Sequence, residues 1–292
     1  MKNYFSIILV SLVTLACQQD SGALTNIYSL PKKLKEVSGI SYANETNLLW
    51  TLEDSGNANK IYGLTPDGKI KYEVKISGAT NEDWEDITKD QQGNLYIGDF
   101  GNNNNDRKDL SIYKINKESL TSEDATPAYK VSFSYPEQQS FPPKKKEMFY
   151  DVEGFFEFKN NFYLFTKNRS KGFDGTTFLY KIPNKQGTHK AEKLAEFTTC
   201  DNFTTCAITS AAISPDETKV VLLCHDKIWL FENFNNDSFL SGNVKELDLG
   251  HNSQKEAVCF KDNSILLIAD EKTKNIGGNV YTVKISDLKS KP

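Results

Sequence analysis

The chain has 292 residues, with 35 Lys and Arg against 39 Asp and Glu, a formal charge of −4 and no basic stripe. That balance argues against nucleic acid as a partner, because counterion release needs clustered cationic surface. Hydrophobic residues make up 38% of the chain, which excludes a disordered polymer and allows one large core.

Taken in chain order, residues 1–16 read as a secretory signal peptide: Lys2 in a short start, an apolar run over 5–15, then Ala16 before Cys17. The run is too short to span a bilayer. Leu15-Ala16-Cys17 resembles a bacterial lipobox, whose cysteine is diacylated and becomes the new N-terminus, although Thr14 stands where leucine is more usual. The alternative is an ordinary cleaved signal with an incidental cysteine. The polar segment 18–23 suits a flexible tether. The expected division is therefore signal 1–16, lipid-anchored tether 17–24 and one folded domain 25–292. This implies a bacterial envelope protein on the periplasmic or surface face of the outer membrane, held to it only through lipid. Lys2 leaves with the signal, so 34 basic residues remain against 39 acidic ones, near −5.

Short runs rich in β-branched, aromatic and aliphatic residues follow at 47–52, 60–64, 94–98, 162–166, 220–224 and 265–269. Turn signals punctuate them, among them Pro66-Asp67-Gly68, Gln92-Gly93-Asn94, Pro215-Asp216-Glu217 and Lys261-Asp262-Asn263. No amphipathic helix of three turns is evident, so the chain reads as all-β: a sandwich, a barrel or a propeller. Late in the chain, Cys200 and Cys206 are spaced for a disulfide in an oxidising compartment. Cys224 and Cys259 sit in apolar runs and read as buried small hydrophobes.

An internal repeat chooses the propeller. Five segments, Glu36-Val37-Ser38-Gly39-Ile40, Trp84-Glu85-Asp86-Ile87, Val152-Glu153-Gly154-Phe155, Thr209-Ser210-Ala211-Ala212-Ile213 and Lys255-Glu256-Ala257-Val258, share a polar, then small or acidic, then apolar order. Each is followed by a turn, a second strand and a third. Units counted from residues 36, 85, 153, 210 and 256 start 49, 68, 57 and 46 residues apart, as four-stranded blades do when the second and third carry insertions. The last unit runs out of chain after its third strand, and residues 25–30 are available to complete it. A five-bladed β-propeller closed by an N-terminal strand is the prediction, closure removing the open sheet edge.

In a propeller the first strand of each blade lines the central channel, so Ser38, Glu85, Glu153, Ser210 and Glu256 are predicted to converge on the axis. Three facing carboxylates cannot all stay ionised without a cation. A ring of oxygen donors suits calcium, and soft or imidazole ligands are absent from it. The alternative is a water-filled channel neutralised by stray sodium, with the glutamates serving blade packing.

The order Ser, Glu, Glu, Ser, Glu on five inner strands resembles the calcium-activated nucleotidases, the apyrase group of five-bladed propellers with axial calcium. The resemblance runs from Glu36 to the end and is carried by Glu36-x-Ser38-x-Ile40, Trp84-Glu85-Asp86-Ile87 before Asn94-Leu95-Tyr96-Ile97-Gly98, Thr209-Ser210 before Pro215, and Glu256. A looser one exists to six-bladed propellers of the strictosidine-synthase and SdiA-regulated type.

The ends of the second strands should form a rim of Glu53, Asp54, Asp99, Lys167, Arg169, His225, Asp226, Asp270, Glu271 and Lys272 around the mouth. The nucleotidase resemblance implies that Asp54 acts near a phosphate and that Lys167 and Arg169 are a basic pair, expected off the axis. Calcium beside two cations could polarise a phosphoryl group and position a water that Asp54 or Glu53 activates. Charge that merely meets solvent is the alternative for each rim residue. The run Gly98-Asp99-Phe100-Gly101 with Asn102 to Asn105 is read as a tight loop over the mouth and departs from the nucleotidase loop. Lys144-Lys145-Lys146 reads as a solvated insertion. Two functions follow: a calcium-dependent hydrolase of a phosphorylated or other small anionic substrate, or a non-enzymatic envelope propeller recognising a carbohydrate, peptide or partner protein. Either is expected to be a monomer.

Overall fold

The computed structural model describes residues 23–274 and 276–290; the expected signal peptide, Cys17 and most of the expected tether lie outside them. Strand β1 (Thr25–Ser29) leads into the first blade, β2 (Val37–Ala43), β3 (Leu48–Glu53), β4 (Lys60–Leu64) and β5 (Ile70–Ile76). The second has β6 (Trp84–Lys89), β7 (Leu95–Asp99) and β8 (Ser111–Ile115); after them β9 (Asp124–Ala125) runs parallel to β5, and β10 (Tyr129–Ser134) completes the blade. The third has β11 (Asp151–Phe158), β12 (Asn161–Lys167) and β13 (Thr176–Pro183); β14 (Gly187–Lys190) returns parallel to β10 before β15 (Glu192–Thr198). The fourth is β16 (Ser210–Ile213), β17 (Lys219–Leu223), β18 (Lys227–Glu232) and β19 (Asn243–Asp248). The fifth is β20 (Lys255–Phe260), β21 (Ile265–Asp270) and β22 (Asn279–Lys284), and β23 (Lys289–Ser290) lies against β19.

The fold is an all-β propeller of five blades. β1 pairs antiparallel with β22, Thr25 opposite Thr282 and Ser29 opposite Asn279, so the N-terminal strand supplies the fifth blade's outer edge. The edges of three other blades are covered by short strands from later in the chain, β9, β14 and β23. Sequence patterning missed these because two to four residues carry no periodicity. Their effect is to occupy edge hydrogen-bonding groups and tie blade to blade.

Each blade interface has its own apolar cluster. Trp50, Leu52, Trp84 and Ile97 join the first two blades; Phe156, Phe165, Val220 and Phe231 join the third and fourth. Burying each such side chain contributes about 1.5–3 kcal/mol. The inner strands β2, β6, β11, β16 and β20 each touch two others and close a ring. That approach is close enough that a Cβ at Gly39 would collide with the backbone of Asp86 and Ile87, and one at Gly154 with Ser210 and Ala211. Glycine is needed there for its size, not its torsional freedom.

Candidate active site

Four inner strands carry the same irregularity at the same height. The pairing register skips one residue between Val37 and Gly39, Trp84 and Asp86, Val152 and Gly154, and Lys255 and Ala257. The skipped residues are Ser38, Glu85, Glu153 and Glu256. A bulge bends the strand and re-aims the extra side chain. In the fourth blade Ser210 pairs directly with Leu223.

The serines bond between neighbouring inner strands. Ser38 Oγ donates to the Trp84 carbonyl at 2.7 Å, and Ser210 Oγ accepts the Val258 N–H at 3.2 Å. Asp86 accepts the Ile87 and Phe155 N–H groups at 2.8 and 3.1 Å, and its burial pushes the carboxyl well above the usual range despite those bonds.

The carboxylates form two overlapping groups. One oxygen each from Asp54, Asp83 and Glu85 lie within 4.8 Å of one another, as do oxygens of Glu85, Asp151 and Glu153. Glu85 belongs to both. It is buried, and that burial, followed by the charges of Glu153, Asp54, Asp151 and Asp83, pushes its carboxyl well up. Asp83 is pushed up to about 7 by burial and by a hydrogen bond and like charge shared with Asp54. Glu271, farther round the mouth, is pushed up to about 8 by burial and by Glu256 and Asp54.

Lys167 and Arg169 are not off the axis. Lys167 Nζ lies 3.1 Å from Glu153, Arg169 Nη2 lies 2.7 Å from the other oxygen of Glu153, and Arg169 Nε reaches Asp151. Two cations from the end of β12 and the loop beyond it therefore already offset part of the carboxylate repulsion in the ring. Glu256 faces Lys167, and its carboxylate accepts a hydrogen bond from His225 Nε2 at 3.2 Å. Burial works to raise Glu256, but Lys167, His225 and Arg169 hold it below its usual value.

Other rim residues have structural partners. Glu53 accepts the Lys35 N–H at 2.9 Å, outside both carboxylate groups, and burial raises its carboxyl. Asp99 pairs with Arg107 at 2.9 Å and accepts the Asp83 N–H at 3.2 Å. Asp270 accepts the Asn279 N–H at 2.8 Å and the Tyr281 hydroxyl at 3.0 Å. The asparagine loop is a buttress more than a cover: Asn102 and Asn105 are buried, the Asn102 N–H donates to Asp151 at 2.6 Å, and Asn105 Oδ1 accepts the Tyr150 N–H at 2.8 Å. Cys200 and Cys206 form a disulfide, and Cys224 and Cys259 are free and buried.

Sequence reasoning missed Asp83 and Asp151. Their signal is present as a second repeat, Asp83-Trp84-Glu85 and Asp151-Val152-Glu153, in which the acid two places before the glutamate returns to the same mouth.

No protein-family model matches the sequence, and no curated protein matches it. Solved structures are similar over most of its length. The PQQ-bound aldose sugar dehydrogenase of Streptomyces coelicolor aligns with 90% of this chain and 98% of its own at 10% identity, TM-score 0.53. A chain of the nidogen/laminin complex aligns with 88% of this chain and 79% of its own at 12% identity, TM-score 0.50. At such identity the likeness is one of fold.

Proposed function

We propose that the mouth binds one calcium ion through Asp54, Asp83, Glu85, Asp151 and Glu153 and there hydrolyses a small anionic, phosphorylated substrate. The observation that carries this reading is the pair of carboxylate groups sharing Glu85. The donors are all hard oxygens, and the five acids outnumber the two cations, Lys167 and Arg169, that pair with Asp151 and Glu153, so the set fits calcium better than zinc or copper. When bound, calcium would supply charge that polarises a phosphoryl oxygen. Lys167 and Arg169 hold Glu153 and Asp151 in place and add positive potential for the substrate's anionic group. Asp54, half-buried at the outer side of the group, is the candidate to take a proton from water; Glu53, tied to the Lys35 amide, is not. Attachment to the envelope through Cys17 belongs to the same proposal and rests on the layout of the leader.

One observation favours a second reading, a binding propeller without turnover: both cations already pair with carboxylates. Purified protein assayed with nucleotides, sugar phosphates and lactones, with calcium and with chelator, separates the two. Calcium-dependent phosphate release that disappears in Glu85→Gln supports the hydrolase. Calcium-dependent anion binding with no release supports the binding protein.

A further inference from the structure

The loop between β15 and β16 carries a feature that neither the carboxylates nor the cations require. Phe203 opens a single helical turn, Phe203–Cys206, and its side chain is exposed, at 42% of its full surface. A solvated benzene ring gains nothing from water that a polar residue would not gain more cheaply, so its setting decides what it does there. The Arg169 guanidinium lies 5.8 Å from the Phe203 ring centroid while its other contacts hold Asp151 and Glu153. Phe173, from the loop that carries Arg169, meets the same ring edge-on at 5.3 Å. The ring therefore stands beside the mouth, next to the cation that organises it.

The turn is also held in place. The Cys200–Cys206 disulfide closes it, the Thr199 hydroxyl donates to the Cys206 carbonyl at 2.7 Å, and the Asn202 side chain accepts the Thr205 N–H at 3.3 Å. Four residues beyond Cys206 the chain enters inner strand β16 at Ser210. A braced exposed aromatic is pre-organised for stacking and loses little entropy when a flat face covers it.

We infer that Phe203 is the ring-binding platform of the mouth, stacking the flat face of a sugar or nucleobase whose anionic group lies toward Arg169. This rests on the reading of the mouth as a small-anion site and adds the substrate class: a phosphorylated molecule bearing a ring. Stacking is sequence- and substituent-tolerant, so the platform selects ring from no ring, while the mouth selects charge.

Calorimetric titration of the calcium-loaded protein with glucose 6-phosphate, ADP, glycerol phosphate and inorganic phosphate tests it. Wild type should bind the two ringed ligands more tightly than the two ringless ones. Phe203→Ala should weaken ringed ligands about tenfold and leave ringless ligands and calcium binding unchanged, and Phe203→Trp should restore ring binding. Which of sugar and base is preferred follows from comparing glucose 6-phosphate with ADP. If Phe203→Ala binds every ligand as wild type does, the platform is overturned and the anion site stands. If wild type binds none of the four while retaining calcium, the anion site falls and the platform with it. Since Phe203 is exposed, the variant's unchanged melting temperature serves as the folding control.

Discussion

Glu85 and Glu256 occupy the same bulge of the same strand in two blades, are both buried, and have opposite fates. Burial and four carboxylates push Glu85 well up; Lys167, His225 and Arg169 hold Glu256 down. The inner-strand residue is thus not what sets the charge state. The neighbouring strand ends and loops do: β3 runs out at Glu53 into Asp54, while β12 ends in Lys167 with Arg169 two residues on. The mouth has an acidic side, where Asp54, Asp83 and Glu85 of the first two blades meet, and a paired side, where Lys167, Arg169 and His225 face Asp151, Glu153 and Glu256; Asp151 and Glu153 also reach across to Glu85, and burial pushes Glu153 well up despite its two cations.

The largest expected effect comes from breaking the paired side. Arg169→Met leaves Asp151, wholly buried, and Glu153 without their guanidinium, and should lower stability by about 3 kcal/mol, read from urea unfolding. A loss under about 1 kcal/mol would mean that the two sides do not differ in this way.

The same neutralising edit should act differently on the two sides. In calcium-free buffer Glu256→Gln should cost about 2 kcal/mol, as loss of hydrogen bonding to charged groups does, whereas Glu85→Gln should cost nothing measurable. Equal losses would remove the distinction.

The pH dependence of the calcium-free protein sharpens it further. Asp83 sits at about 7 in the folded protein against an ordinary value of 3.8, so the folded state binds a proton that the unfolded chain releases. Its contribution is fully present below 3.8 and is lost as pH rises through about 7. Glu256, held low, has the opposite sign, contributing above the ordinary carboxylate value and losing that contribution in acid. Melting curves at pH 6 and pH 8 should show the calcium-free protein weaker at pH 8, with calcium removing the difference.

The smallest effect belongs to the serine staples. Ser38→Ala removes the bond to the Trp84 carbonyl and should cost about 1 kcal/mol while sparing the calcium response. Loss of calcium binding in this variant would return Ser38 to the ligand set.

Blade number, ring closure by residues 25–30 and the shared height of Glu85, Glu153 and Glu256 were legible because a repeat in register converts position in sequence into position around an axis. Pairing across the mouth was not. Lys167 belongs to the second strand of its blade and Glu256 to the first strand of the fifth, and no spacing announces that they face each other. Asp83 and Asp151 were visible as a repeated Asp-x-Glu but sit just before or at the start of the strand, where a pattern search for alternation gives them no weight. The role of Asn102 and Asn105 depends on the neighbouring blade, so four consecutive asparagines read as a tight loop over the mouth, although two of them are buried.

The most direct test of the two-sided mouth is calorimetric titration of calcium into wild type, Glu85→Gln and Glu256→Gln at pH 8. The account predicts one ion in wild type, one in Glu256→Gln with affinity within about threefold, roughly 0.65 kcal/mol, and none in Glu85→Gln. Binding retained in Glu85→Gln and lost in Glu256→Gln would place the ion at Glu256, outside both carboxylate groups, and contradict it.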